Sequence, residues 1–326
     1  MMRNLLFSLL STFSFSVFAQ TLVKVDGSST VFPITEAIAE DFQKSEQGKI
    51  RVTVGISGTG GGFKKFCRGE TDVQNASRPI SSSEMADCKS SGVQYLELPV
   101  AYEGIVIVVN KANNWVKEIS VADLKKIWEP AAQGKITRWN QVNPSWPDKP
   151  LSLYGAGSDS GTFDYFTEAV VGKAKSSRGD YTPSEDDNTI VNGVSRDKYA
   201  LGYLPMSYYE NNKAKLTALG IIGAKGKAVY PTSATVENGA YAPLSRPLFI
   251  YVNAAALKRE EVRKFAEFYL AHAPKIVPTV SYVPLPGKIY EIVRKNLREQ
   301  KTGTVFAGHS EVGLSMDQLL KKEGKL

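Results

Sequence analysis

The chain has 326 residues, of which 42% are hydrophobic and 22% charged, and its net charge is +7. This length is too great for one ordinary core and suits two lobes, and the composition is that of a globular protein. The charges are interspersed along the chain and form no basic stripe among aromatic residues, so the sequence does not indicate a nucleic-acid-binding protein.

The N-terminal segment differs in composition from the rest of the chain. Arg3 is its only charged residue, an apolar run covers residues 5–18, and Val17 and Ala19 are small enough for a cleavage site. The pattern predicts a secretory signal peptide over residues 1–19, with a permanent membrane anchor as the alternative. Because no cysteine lies near the cleavage site, we expect a periplasmic chain without a lipid anchor.

Strand and helix signals alternate after this segment. Strands are predicted over residues 21–25, 50–54, 95–100, 104–110, 151–154, 200–204 and 248–252. Helices are predicted over residues 34–43, from residue 63, and over residues 121–128, 163–171, 260–270 and 289–298. This alternation predicts an α/β architecture.

Two of the strands are candidates for crossing between lobes, one around residues 104–110 and one around residues 246–252. If both cross, residues 101–252 form an inserted second lobe. Residues 20–100 together with residues 253–326 then form the first lobe.

The two cysteines are predicted to form a disulfide. Cys67 and Cys88 belong to a chain expected in an oxidising compartment, although two buried free thiols are the alternative. Together with His272 and His309 they do not make a zinc-binding spacing. We therefore predict no metal and no cofactor.

Three segments place a turn rich in hydroxyl groups and glycine between a strand and a helix. They are turn one (residues 27–30, GSST), turn two (residues 57–62, SGTGGG) and turn three (residues 157–162, GSDSGT). The first N–H groups of a helix lack helical partners, and glycine lets backbone approach an oxyanion closely. The turns could therefore meet around one tetrahedral anion, although ordinary capping uses the same residue types.

Three longer segments surround these turns: VDGSSTVFPITEAIAEDF, ISGTGGGFKKFCRGETDVQNASRPI and GAGSDSGTFDYF. In order and spacing they resemble the phosphate-binding proteins of bacterial ABC phosphate importers, as do the later segments AYEGIVIVVN and GLSMDQLL. The resemblance implies the fold of type II periplasmic binding proteins, with two α/β lobes, two crossing strands and a cleft between the lobes. It also implies a monomer that is not an enzyme, captures inorganic phosphate and delivers it to an ABC permease in the inner membrane.

The resemblance further implies three loops that bind phosphate through hydroxyl and backbone N–H groups. Each loop matches the family in residue type. The loops fall on Ser29, Thr30 and Val31, on Ser57 and Thr59, and on Ser160, Gly161 and Thr162.

Two positions depart from the best-known members of that family. Where this chain has Arg78, those members carry Asp, which accepts the proton of hydrogen phosphate. Where this chain has Ala156, they carry Arg. We therefore predict that Arg78 supplies a guanidinium to the anion, with a salt bridge as its alternative role. Asp159 and Asp72 are the candidate acceptors, and Asp72 fits a local turn or cap better.

Two other functions are weighed against phosphate capture. The same fold could bind sulfate or another oxyanion. A serine hydrolase is the alternative of another class, because residues 158–161 (SDSG) faintly resemble the nucleophile loop of chymotrypsin-like proteases. The α/β alternation does not suit that β-barrel fold, and the chain has no G-x-S-x-G elbow.

Overall fold

Short segments rich in Val, Ile and Leu form a mixed sheet in the computed structural model, which describes residues 21–325. The predicted signal peptide over residues 1–19 lies outside the described residues. Among the described residues, no helix combines the length and the apolar character that crossing a membrane requires.

The elements alternate along the chain as the sequence predicts. The strands are β1 (Thr21–Gly27), β2 (Ile50–Val54), β3 (Val73–Ala76), β4 (Tyr95–Asn110), β5 (Glu118–Ser120), β6 (Ser152–Ala156), β7 (Thr182–Ser184), β8 (Ala200–Pro205), β9 (Leu216–Ala218), β10 (Gly220–Ile222), β11 (Ala228–Val229) and β12 (Ser245–Asn253). The α-helices are α1 (Phe32–Ser45), α2 (Gly58–Phe66), α3 (Ser82–Ser90), α4 (Val121–Trp128), α5 (Trp139–Val142), α6 (Gly161–Val171), α7 (Asp187–Arg196), α8 (Met206–Glu210), α9 (Ser233–Glu237), α10 (Glu260–Thr279), α11 (Gly287–Arg298) and α12 (Met316–Glu323).

The main sheet has the strand order β2-β1-β3-β12-β4-β8-β6-β7, with β9 also paired to β4. Strand β1 is parallel to β2 and β3, and β6 is parallel to β7 and β8, whereas β12 is antiparallel to both of its neighbours. A separate small sheet has the order β11-β10-β5. The predicted α/β fold class is confirmed.

Strands β4 and β12 link the two halves of the main sheet. Residues 95–104 of β4 pair with β12, and residues 105–109 pair with β8. The sequence predicted two strands, over residues 95–100 and 104–110, where the structure has one continuous strand. Glu103 does not interrupt it because its cross-strand partner is Arg246, which carries the opposite charge. The proposed division of the chain into two lobes stays a prediction.

The glycine-rich turn two is helical, which corrects the predicted turn over residues 57–62. Helix α2 begins at Gly58, although glycine has a low helix propensity. Close packing requires glycine within this helix, because a Cβ on Gly62 would lie 2.6 Å from the Cα of Gly27 and would overlap the amide of Gln74.

The predicted disulfide is present between Cys67 and Cys88. Cys67 is the C-cap residue of α2, and Cys88 lies in α3. The bond therefore ties the helix of turn two to the next helix along the chain.

The C-terminal helix α12 buries an acidic side chain. Neither carboxyl oxygen of Glu323 has a hydrogen-bond partner in the described part of the chain. Burial raises the pKa of Glu323 from its ordinary 4.5 to about 9, and the charge of Glu97 contributes to the increase. Burial also raises the pKa of Glu97 to about 7, against hydrogen bonds from Thr304 and Tyr251 and the charge of Lys322. Glu323 is therefore protonated in the folded chain at neutral pH.

We expect Glu323→Gln to stabilise the protein above neutral pH. The folded chain keeps a proton that the unfolded chain releases above its ordinary pKa, so the stability that Glu323 contributes is complete below about pH 4.5 and is lost as the pH rises to about 9. The loss is on the order of 1 kcal/mol per pH unit. Urea unfolding between pH 5 and 9 should show a shallower decline for the variant than for wild type. The exposed Glu237→Gln is the control, and equal slopes for wild type and Glu323→Gln would contradict this expectation.

Candidate functional site

The three hydroxyl-rich turns lie against one another in the structure. Thr30 precedes α1, and Thr59 and Thr162 lie in the first turns of α2 and α6. All three side chains are fully buried. The hydroxyl oxygens of Thr30 and Thr162 lie 3.1 Å apart, and a Cβ on Gly161 would lie 2.6 Å from the hydroxyl oxygen of Thr59. The N-termini of three helices therefore converge on one buried cluster of hydroxyl groups.

Turn one is held by tyrosine side chains from later segments. Tyr282 donates a hydrogen bond of 2.5 Å to the carbonyl of Thr30, and Tyr208 donates one of 3.3 Å to the carbonyl of Ser29. Val31 is buried and is the N-cap residue of α1, without a side-chain cap. The carbonyls of Ser29 and Thr30 are thus occupied, and the backbone N–H of Phe32, the first of α1, donates to the carbonyl of Ser28 at 3.1 Å.

Of the two predicted residues in turn two, Thr59 places its hydroxyl in the buried cluster, whereas the hydroxyl of Ser57 has a partner elsewhere. Ser57 is half-buried, and its hydroxyl donates to a carboxylate oxygen of Asp26 at 2.5 Å. The hydroxyl of Thr59 lies 3.1 Å from that of Ser77, a residue that the sequence analysis did not select. The backbone N–H of Gly60 donates to the carbonyl of Asp159 at 2.9 Å, which joins turn two to turn three.

Turn three forms the N-terminus of α6. Ser160 is its N-cap residue, and its hydroxyl oxygen accepts a hydrogen bond from the backbone N–H of Thr162 at 3.1 Å. Gly161 has no room for a side chain, because a Cβ would lie 2.5 Å from the hydroxyl oxygen of Ser77. Glycine is therefore required where turns two and three touch.

Arg78 lies beside the cluster, but carboxylates already occupy most of its guanidinium. Its Nε donates to Asp164 at 2.6 Å, and its two Nη atoms donate to the carboxylate of Glu84 at 2.8 Å each. The Arg78 and Asp164 side chains are both 5% exposed. Burial raises the pKa of Asp164, and the Arg78 charge opposes that shift. This is the salt bridge that the sequence left as the alternative, and direct contact of Arg78 with an anion stays a prediction.

The two candidate acceptors differ in position. The carboxylate of Asp159 is 44% exposed and lies 3.1 Å from the ammonium of Lys64. Asp72 accepts hydrogen bonds from the backbone N–H of Lys24 in β1 and from the side chain of Arg259, the N-cap residue of α10. Asp72 therefore joins distant segments of the fold and does not make the local turn or cap contacts that its sequence context favoured, whereas Asp159 stays a candidate.

The sequence analysis did not select several buried charged residues near the turns, among them Glu103, Arg246 and Asp187. Burial raises the pKa of Glu103, and the charge of Arg246 opposes this shift. Burial also raises the pKa of Asp187 to about 7, against a hydrogen bond from Ser29, and the Glu103 charge adds to the increase. The signal that could have found the first two is a charged residue within an apolar strand: Glu103 follows Glu97 in β4, and Arg246 is the one charged residue of β12.

The cluster is rich in hydrogen-bond donors and poor in metal ligands. Over residues 21–325, no group of three or more His, Cys, Asp or Glu side chains is arranged to hold a metal ion. Hydroxyl groups, backbone N–H groups and helix N-termini are suited to bind an oxyanion. The arrangement can therefore bind and release an anion without making or breaking a covalent bond.

Known proteins are similar in sequence to most of this chain. The model of the PBP superfamily domain matches residues 18–272. Protein SphX of Synechococcus elongatus is 53% identical over 305 residues, which cover 94% of this chain and 90% of SphX. The phosphate-binding protein PstS of Staphylococcus saprophyticus is 41% identical over 271 residues, 82% of each chain.

Solved structures are similar over most of the chain as well. A possible phosphate binding protein from Planctomyces limnophilus has a TM-score of 0.64 and 46% identity, covering 86% of this chain and 99% of its own. A substrate-binding protein from Clostridium perfringens, solved with bound phosphate, has a TM-score of 0.69 and 27% identity, covering 82% and 100%. With a family model that matches most of the chain and relatives that are similar along nearly their whole length, this chain belongs to the PBP superfamily and, within it, to the PstS family of phosphate-binding proteins.

Proposed function

We propose that this chain captures inorganic phosphate at the convergence of turns one, two and three. The observation that carries the proposal is the 3.1 Å contact between the hydroxyls of Thr30 and Thr162, which brings two helix N-termini together from distant parts of the chain. The staphylococcal relative, a phosphate-binding protein, and the phosphate bound in the clostridial structure support the choice of ligand.

The proposed ligand set combines hydroxyl and backbone N–H donors. Turns one and two would supply donors from one lobe, and turn three would supply donors from the other lobe. An anion that contacts both sets favours the closed arrangement of the lobes, because only that arrangement satisfies all of the donors at once. The proposed set is Ser29, Thr30, Val31, Ser57, Thr59, Arg78, Ser160, Gly161 and Thr162.

Capture in this form is reversible and involves no covalent chemistry. We propose that the chain acts as a monomer in the periplasm, where the signal peptide predicted over residues 1–19 would deliver it. The closed form would then dock on an ABC permease in the inner membrane and release its anion there. Residues 20–100 with 253–326, and residues 101–252, are the two lobes that this mechanism requires.

Isothermal titration of the purified chain with phosphate and with sulfate tests the proposal. We expect one phosphate to bind per chain, and we expect sulfate to compete poorly. The position that holds Asp in the best-known relatives is Arg78 here, so sulfate binding without phosphate binding is the informative opposite result. That result would mean that the ligand of this fold is sulfate or another oxyanion and not phosphate.

A further inference from the structure

A buried ion pair lies between the two strands that link the halves of the sheet. Glu103 of β4 and Arg246 of β12 are direct cross-strand partners, with side chains 0% and 1% exposed. The Nε and Nη2 atoms of Arg246 donate to the same carboxylate oxygen of Glu103, at 2.9 and 2.5 Å. Removing two charges from water is costly, so such a pair needs further favourable contacts.

Those further contacts lie on turn three. Arg246 donates from Nη1 to the carbonyl of Gly161 at 2.8 Å and from Nη2 to the hydroxyl oxygen of Thr162 at 2.7 Å. A guanidinium can only donate hydrogen bonds. The hydroxyl oxygen of Thr162 is therefore an acceptor in this contact, and its own proton points away from Arg246. The hydroxyl of Thr30, at 3.1 Å, is the partner on that side.

We propose that Arg246, held in place by Glu103, is a positioning residue that fixes the Thr162 hydroxyl as a donor toward the bound oxyanion. This inference rests on the proposed function. It assigns a role in the binding site to the ion pair of the linking strands, which lies outside the turns themselves. The guanidinium also places a positive charge directly behind turn three, where water is excluded and charges interact strongly.

A second buried arginine provides a matched control. Arg178 is 3% exposed at its side chain, pairs with Asp180, and donates to the carbonyls of Ile127 and Ile136. Like Arg246, it therefore forms an ion pair with one carboxylate and also donates hydrogen bonds to backbone carbonyls. These partners lie outside the three turns. A purely structural role of Arg246 therefore predicts similar effects of replacing either arginine.

The test compares Arg246→Gln with Arg178→Gln by isothermal titration with inorganic phosphate and by thermal unfolding. We expect both variants to lose thermal stability. Only Arg246→Gln should weaken phosphate binding, by about 10- to 100-fold, on the scale of a lost charged hydrogen bond. Equal phosphate affinity of Arg246→Gln and wild type would overturn the inference.

A double-variant cycle tests whether Arg246 acts through Thr162. Thr162→Val alone should weaken phosphate binding, and the combination with Arg246→Gln should weaken it less than the product of the two single effects, because both remove the same donor. A fully multiplicative result would contradict the positioning role.

A further variant covers the case in which Arg246→Gln does not fold. Glu103→Gln keeps an oxygen acceptor for Arg246 but removes the charge that holds the guanidinium against turn three, so phosphate should bind several-fold more weakly than to wild type. Loss of a negative charge alone would favour the anion instead. Unchanged or tighter binding would therefore overturn the inference. Absence of phosphate binding by wild type would instead refute the proposed function, so the two failures are distinguishable.

Discussion

Gly161→Ala should weaken phosphate binding by about 10- to 100-fold, the scale of one overpacked buried contact. A Cβ at this position would lie 2.5 Å from the hydroxyl oxygen of Ser77 and 2.6 Å from that of Thr59. Both oxygens belong to segments that precede β4, whereas Gly161 begins α6. The added methyl group therefore opposes the approach of turn three to turn two, which the proposed closed state needs.

Titration calorimetry with phosphate measures this effect, and thermal unfolding of the anion-free variant checks the fold. Gly287→Ala is the matched control, because Gly287 also begins a helix and a Cβ there would meet nothing within 4 Å. We expect the control to bind phosphate as wild type does. Wild-type affinity of Gly161→Ala would show that the contact between turns two and three is not needed for binding.

Arg78→Met should lower the free energy of unfolding by about 3–5 kcal/mol, the cost of leaving a buried charge without its partner. The substitution leaves Asp164 without its 2.6 Å contact and Glu84 without two contacts of 2.8 Å. Asp164 lies in α6 and Glu84 in α3, so Arg78 joins two helices that are distant in sequence. The methionine fills much of the arginine volume, which limits the effect to the charge.

Urea unfolding measures the loss, with Arg138→Met as the control. Arg138 pairs with Asp148, but both side chains are exposed, so we expect a loss of at most about 1 kcal/mol. An equally small loss of unfolding free energy in Arg78→Met would contradict the expected contribution of the buried ion pairs to stability. Titration of the folded variant with phosphate then addresses the second predicted role: direct contact with the anion predicts at least about 2 kcal/mol weaker binding, and unchanged affinity would remove Arg78 from the ligand set.

Local sequence patterns predicted the elements where one period dominates. The alternating apolar residues of β2 and the amphipathic pattern of α4 both lie where they were expected, over residues 50–54 and 121–128. The predictions failed where tertiary contacts override local preference. The glycines after Ser57 lie in a helix despite their low propensity, and close neighbours leave no room for a side chain at Gly58 and Gly62. Strand β4 continues through Glu103 because Arg246 neutralises its charge.

The sequence by itself determined the alternating α/β order, the three hydroxyl-rich turns and the resemblance to phosphate-binding proteins, since all of these are properties of consecutive residues. Only the tertiary structure decided which partners the buried charges have. Arg78 pairs with Asp164 across 86 positions, and Arg246 reaches Thr162 across 84. Hydrogen bonds act over about 3 Å, and folding alone determines which distant side chains come within that distance.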